Sequence, residues 1–138
     1  MASNTEPITW NEDNQVKYVG IRPGYTGLNL TAHGIVIGAA LIIYTVPANK
    51  TLLIFNSYFS ADTDAVATNY TYMSLNDDAP AEVHRIHQLV LTGAGNNGSQ
   101  SLARLVPLIA TAGYEIAITS LVGGTRTMGG IEGALVDA

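Results

Sequence analysis

Cysteine is absent from this chain of 138 residues. Its absence excludes disulfide bonds, a thiol nucleophile and a zinc site built on cysteine. Charged residues are also scarce, at 12%, whereas a typical globular domain has about 25%. With 47% hydrophobic residues, the composition argues against disorder. It also indicates that part of the surface contacts another protein.

Basic charge is in short supply. Six Lys and Arg stand against eleven Asp and Glu, which gives a net charge of -5. Such a chain has no basic patch that could neutralise a run of phosphates, and an anionic membrane surface would repel it. We therefore expect neither nucleic acid nor a membrane among its partners.

Long apolar runs are missing as well. The longest such stretch, residues 34–46, is shorter than the roughly 20 residues that a membrane-spanning helix needs. The first residues are polar and carry neither the basic nor the apolar region of a secretory signal. We expect a soluble protein without a signal peptide.

The chain from residue 34 to residue 138 has the residue pattern of β-strands joined by turns. Short segments rich in β-branched residues are separated by turn signals every 8–12 residues, and no window shows a helical period of useful length. The pattern predicts an all-β fold, a jelly-roll-like antiparallel β-sandwich of about eight strands. One of these strands, residues 101–109, contains Pro107, which favours a sheet edge or a bulge.

The predicted strand at residues 51–60 has apolar side chains on both faces. Strict alternation places them in two sets: Leu52, Ile54 and Tyr58 on one face, and Leu53, Phe55 and Phe59 on the other. One set can fill the sandwich core, and the other then needs cover from a second sheet or subunit. This pattern is the residue-level reason to expect self-association.

Residues 1–33 differ from the rest and are interpreted as an N-terminal arm. They are polar and rich in turn-forming residues, with one short predicted strand near residues 15–19. Trp10, Tyr18 and Tyr25 are spaced through them and are candidate interface anchors. We expect the arm to lie extended over a neighbouring subunit or another partner, so that deleting residues 1–20 leaves the sandwich folded but weakens assembly or attachment. A flexible terminus is the alternative.

No catalytic or cofactor-binding constellation is visible. His84 and His87 are three residues apart, and on a strand this odd spacing sends the two rings to opposite faces. No H-x-H, H-E-x-x-H, G-x-S-x-G or phosphate-binding glycine motif occurs. We expect a protein without enzymatic activity, metal or cofactor. A cupin-like metalloenzyme is the least favoured alternative.

Tyr70 and Tyr72 share one face of a predicted strand. Two neighbouring rings could contact a subunit, fill the core or form a platform on which a sugar stacks. A carbohydrate-binding module that uses Tyr70, Tyr72 and Trp10 is therefore the alternative function.

Two segments of the chain echo each other. Residues 47–54 and 111–118 each follow an apolar strand, turn on Ala with Asn or Gly, and enter an alternating strand. A jelly roll consists of two interleaved Greek keys, so it contains two equivalent turns of this kind.

The first of these segments, with the end of the chain, resembles small virion structural proteins of tailed bacteriophages. Residues 44–54 match a VPAxKT turn that leads into a strand. The last part of the chain also resembles that of these proteins, at residues 109–116, 123–125 and 130–136. The resemblance covers roughly residues 34–137. Asn49 stands in place of the family's usual Gly, and we expect it to adopt the same positive φ, which Asn tolerates. Thr111 stands in place of a Pro. The arm has no counterpart.

The resemblance implies a non-enzymatic capsid decoration, head-fibre or tail-associated protein with a jelly-roll fold. Such proteins are usually oligomers, and a trimer is favoured here. The implied partners are further copies of the chain and a major capsid or tail protein, and the implied location is the virion, assembled in the host cytoplasm.

Overall fold

A computed structural model describes residues 4–5, 9–11, 15–22 and 27–138, with side chains from residue 17 onward. All regular structure in these residues is β-strand, and it forms two antiparallel sheets. The strands are β1 (Asn4–Thr5), β2 (Thr9–Asn11), β3 (Gln15–Ile21), β4 (Leu30–Ile37), β5 (Ala40–Thr45), β6 (Lys50–Thr63), β7 (Asn69–Asn76), β8 (Glu82–Leu91), β9 (Asn97–Ala110), β10 (Glu115–Ser120) and β11 (Thr125–Asp137).

The strand order is that of a jelly roll. In the long sheet the order is β1-β3-β4-β11-β6-β9, with β2 also paired to β3, and in the short sheet it is β5-β10-β7-β8. The eight strands β4 to β11 thus divide equally between two sheets, and strands far apart in the chain lie side by side, as in two interleaved Greek keys. The predicted fold class is confirmed.

The core lies between the two sheets. In β4 the inward positions are buried and the intervening ones are not, which is the alternation of a strand with one covered face. Both sheets contribute apolar side chains to one cluster. Its largest fully buried members are Phe59, Leu30, Ile43, Leu52, Ile54, Met73, Ile116, Ile118 and Ile131.

The two echoing turns are equivalent in the structure. Asn49 has a φ of 63° and Gly113 a φ of 85° at matching positions, which a type II turn requires at its third residue. Each turn closes with a backbone hydrogen bond, from Lys50 N to Pro47 O at 3.2 Å and from Tyr114 N to Thr111 O at 3.0 Å. The positive φ expected at Asn49 is confirmed.

A β-bulge interrupts β6, so its side chains do not alternate as the sequence predicts. The pairing of β6 with both neighbours shifts at Phe55, and a bulge of one residue reverses the side-chain parity that follows it. Leu52 and Ile54 point inward as predicted, but Phe59 is buried and Tyr58 is exposed. The expectation that Tyr58 shares a face with Leu52 is therefore wrong, and this strand alone gives no reason to expect a covering subunit.

The boundary predicted at residue 33 also needs correction. Residue 33 falls in the middle of β4, and β3 pairs with β4 from Val16 with Ile35 to Ile21 with Leu30. Val19 and Leu30 belong to the same buried cluster as the rest of the sandwich. Residues 15–21 and 30–33 are thus part of the sheet and not an arm outside it.

The burial of Val19 yields a test of this correction. Val19 is 2% exposed, and fully burying a valine contributes roughly 1.5–3 kcal/mol. We expect Val19→Ala to lower the free energy of unfolding by about 2 kcal/mol, measured by urea denaturation. Val66→Ala is the matched control, because Val66 is 84% exposed and its loss should change stability by less than about 0.5 kcal/mol. Equal stability of both variants would restore the arm interpretation.

Candidate binding and assembly surfaces

Strand β9 presents an exposed apolar edge. In the described residues its only sheet neighbour is β6, so its other side has a row of backbone N–H and C=O groups without a strand partner. Leu105, Val106 and Ile109 are 101%, 82% and 61% exposed. Leu102 is also exposed. We call these four residues, with the free side of β9, the β9 edge.

The exposure has a local cause in the backbone. Ile54 pairs with Leu108 and Asn56 pairs with Ala103, so the residues between Ala103 and Leu108 face the single residue Phe55. This irregular bulge of four residues opposite one moves Leu105 and Val106 away from the sheet. Pro107, which cannot donate a ladder hydrogen bond, lies inside it, as the sequence predicts.

The β9 edge lacks the usual protection against association. Proteins protect their edge strands from association with charged residues, in particular Lys, or have only short strands at the edge. Strand β9 has 14 residues, and Arg104 is the only charged one among them. A long, apolar and nearly uncharged edge is a template for pairing with another chain.

A second surface lies on the outer face of the long sheet, where four cross-strand neighbours form a row. Three of them carry aromatic rings, and we call the row of Tyr18, His33, Gly130 and Tyr58 the ring row. Tyr18 pairs with His33, His33 with Gly130, and Gly130 with Tyr58. The rings of Tyr18 and His33 meet edge to face, with centroids 4.9 Å apart. His33 Nδ1 and Tyr58 Oη are 2.9 Å apart, a hydrogen-bond distance. Tyr58 is partly covered by its neighbours. This partial burial, and secondarily the charge of Glu132, raises the pKa of Tyr58, so its hydroxyl stays protonated.

Glycines allow the rings to lie down on the sheet. A Cβ atom at Gly130 would be 2.2 Å from Cζ of Tyr58, and one at Gly20 would be 2.7 Å from Oη of Tyr18. Both tyrosine tips therefore rest over glycine backbone. Tyr18, His33, Ile35, Tyr58 and Met128, with Gly34 and Gly129, line a groove of about 300 Å³. A second cavity of about 220 Å³ shares Tyr18 and is lined by Thr31 and Glu132 among others.

Tyr70 and Tyr72 lie on the outer face of the short sheet and not in the core. They share a face as predicted, and Tyr70 is 48% exposed, opposite Val90 on β8. The guanidinium carbon of Arg85 lies 3.8 Å from the centroid of the Tyr72 ring. One face of Tyr72 is thus already occupied by a cation–π contact.

The remaining predicted anchors are placed only in part. The backbone of Trp10 belongs to β2 and pairs with Val16, but its side chain lies outside the described part of the chain. Tyr25 lies outside the described residues altogether. Tyr18 is the one anchor that the structure brings into a cluster, with His33 and Tyr58.

A polar cluster that joins buried Ser57 and His87 to exposed Gln100 was not foreseen. Gln100 Nε2 donates to Gln88 O (3.1 Å), so Gln100 Oε1 accepts from His87 Nδ1 (3.1 Å), and His87 Nε2 accepts from Ser57 Oγ (2.8 Å). The His87 ring stacks parallel to Phe59. Burial lowers the pKa of His87, although hydrogen bonds to Gln100 and to the backbone of Ser57 act in the opposite direction.

The order Ser, His, amide is also that of a hydrolytic triad, but Ser57 and His87 are buried, and only Gln100 is exposed. A nucleophile must contact its substrate, so we interpret the cluster as structural. A bulge at Ile86 explains it, because the β7–β8 pairing shifts there and leaves both Ile86 and His87 pointing inward while His84 stays exposed. His84 and His87 thus differ in exposure, but the prediction that their odd spacing sends them to opposite faces is not confirmed, because the bulge lies between them and they pair with Leu75 and Met73, which share a face.

The described residues contain neither a metal-ligand cluster nor a membrane-spanning helix. Within residues 17–22 and 27–138, no three His, Asp or Glu side chains are grouped closely enough to hold a metal ion. Nor does any part of the described chain form a helix with the length and apolar character needed to cross a membrane.

Comparisons with known proteins find structural likeness only. No protein-family model matches the chain, and no curated protein matches it. Similar solved structures include MgGH51 α-L-arabinofuranosidase (11% identity, TM-score 0.33), a CBM4 protein (11%, 0.27) and tailspike protein 4 of bacteriophage CBA120 (15%, 0.32). They cover 97%, 99% and 98% of this chain. The chain itself spans 23%, 78% and 18% of their lengths.

The His87 cluster makes stability depend on pH. Because the folded state lowers the pKa of His87 below its usual value of about 6.5, the unfolded chain binds the proton more readily. The contribution of neutral His87 is complete above about pH 6.5 and is lost as the pH falls from there toward the folded-state pKa. We expect His87→Gln to flatten the fall in unfolding free energy between about pH 7.5 and pH 5, by up to about 1.4 kcal/mol per pH unit.

Exposed His84 supplies the control, since His84→Gln should leave this dependence as in the wild type. Urea titrations at several pH values measure both variants. An unchanged pH dependence in His87→Gln would contradict the assignment of His87 as a buried neutral group.

Proposed function

We propose that the chain is a non-enzymatic virion structural protein that self-associates, as a trimer, and attaches to a phage capsid or tail. The observation that carries the first part is the β9 edge. The second part rests on the resemblance of residues 44–54 and of the chain ending to small virion proteins. The low charge content, 12%, agrees with a protein whose surface is partly covered in an assembly.

The proposed occupant of the β9 edge is a second copy of this chain. Each copy has a net charge of -5, so copies repel one another in general. The β9 edge is nearly free of charge and is therefore a surface where two copies can approach without this repulsion. Burial of Leu105, Val106 and Ile109 and new backbone hydrogen bonds along β9 would stabilise the contact.

Trimer symmetry makes the contact asymmetric. In a ring of three, the β9 edge of one copy must meet a different surface of the next copy, whereas in a dimer two β9 edges could pair with each other. The measured number of copies therefore distinguishes the two modes of pairing.

Carbohydrate binding through Tyr70 and Tyr72 is the less supported alternative. Arg85 covers one face of Tyr72, so the pair offers a smaller free platform than two unobstructed rings. A cupin-like enzyme is less supported still, because its metal site would need a cluster of ligands, and the described residues contain no such cluster.

The β9 edge can be tested by adding charge to it. We expect the wild-type chain to be oligomeric at micromolar concentration, with a mass that is a multiple of 14.5 kDa. The double variant Leu105→Asp, Val106→Asp should weaken association by at least about 2 kcal/mol, because it places two charges in a desolvated contact. Size-exclusion chromatography with light scattering measures the mass.

Val66→Asp is the matched control, since Val66 is exposed outside β9 and its replacement should leave the oligomer intact. A monomeric wild-type chain, or a double variant that stays oligomeric, would contradict the role of the β9 edge. Absence of the chain from purified particles would contradict the virion role separately.

A further inference from the structure

We propose that the groove around the ring row on the long sheet binds a neutral oligosaccharide. The inference does not depend on the proposed assembly.

The groove is an apolar platform with its aromatic rings held in place. The Tyr58 ring tip rests over Gly130, and its hydroxyl is fixed by the contact with His33 Nδ1 at 2.9 Å. Tyr18 packs against the other side of His33. Aromatic side chains with few rotatable bonds, already fixed before binding, offer contact area at low entropic cost. The groove volume of about 300 Å³ is that of a small-molecule site.

Strand register places a polar row directly beside the apolar one. Two residues further along the same strands, Thr31 pairs with Glu132 and Glu132 pairs with Asn56. Positions two apart on a strand lie on the same face, about 7 Å from each other. Thr31 and Glu132 line the second cavity, and Tyr18 lines both this cavity and the groove. A ligand on this face therefore meets rings on one side and hydrogen-bonding groups on the other.

A saccharide has the chemistry that both rows demand. The C–H face of a pyranose ring packs on an aromatic ring, and its hydroxyls hydrogen-bond to carboxylate and hydroxyl groups at the rim. A wholly apolar ligand would desolvate Glu132 without giving it a partner, which is costly. An anionic ligand would be repelled by Glu132 and by the net charge of -5.

A peptide is disfavoured for a different reason. Peptides that bind β-sheets add a strand at an edge, where backbone groups are free. The groove lies on the face of paired strands β4, β11 and β6, whose backbone groups bond to one another. The proposed ligand is thus recognised by side chains alone.

The test is a screen of the full chain against a panel of neutral oligosaccharides of three to six sugars, followed by calorimetric titration of any hit. We expect millimolar or tighter binding. Tyr58→Ala and Tyr18→Ala should each weaken it at least tenfold, because each removes a stacking ring. Tyr58→Phe should retain most of the affinity, since it keeps the ring and loses only the contact with His33.

Two controls separate the groove from other causes. Tyr70→Ala alters the opposite sheet and should bind like the wild type, and thermal unfolding of every variant shows whether it is folded. If Tyr58→Ala unfolds, chemical-shift changes on titration of the wild-type chain locate the site instead. No binding across the panel, affinity unchanged in both tyrosine variants, or shift changes confined to Tyr70 and Tyr72 would overturn the proposal.

Discussion

The antiparallel ladder between β6 and β11 is the interaction on which the rest of the structure depends. Its pairs run from Thr63 with Thr125 to Lys50 with Asp137. Strand β11 provides β4 with its partner on one side, and β6 provides β9 with its only one in the described chain. The same ladder sets Tyr58 beside Gly130, so the ring row and the β9 edge both take their positions from it.

The sequence predicted strands and turns better than it predicted which way side chains point. Turn chemistry at Asn49 and Gly113 is local, and both positions have the expected backbone. The face toward which each side chain of a strand points is also set locally, by simple alternation. A bulge reverses that alternation, and a bulge arises from how two strands pair. For that reason Tyr58 was assigned to the wrong face and the burial of His87 was missed.

The N-terminal boundary was missed for a related reason. The inward positions of β4 include Ala32 and Gly34 among larger residues, so the apolar alternation in the sequence is weak although the strand is fully paired. The ring row had no sequence signal at all, because Tyr18, His33 and Tyr58 come from three strands. In β9 the sequence showed the apolar residues and, at Pro107, a sheet edge or bulge, but the exposure of Leu105 and Val106 follows from how β6 and β9 pair around Phe55.

The long separation of the strands that pair has a consequence for how the chain folds. Lys50 and Asp137, at one end of the central ladder, are 87 positions apart, and Thr63 and Thr125 are 62 apart. Loop-closure entropy must be overcome before such contacts form, and chains rich in them fold in milliseconds to seconds. During translation β6 and β9 emerge before β11, so the long sheet cannot close until residue 137 has been made. Until then the side of β6 that β11 covers is a second unpaired edge beside the β9 edge, at a stage when association would be premature.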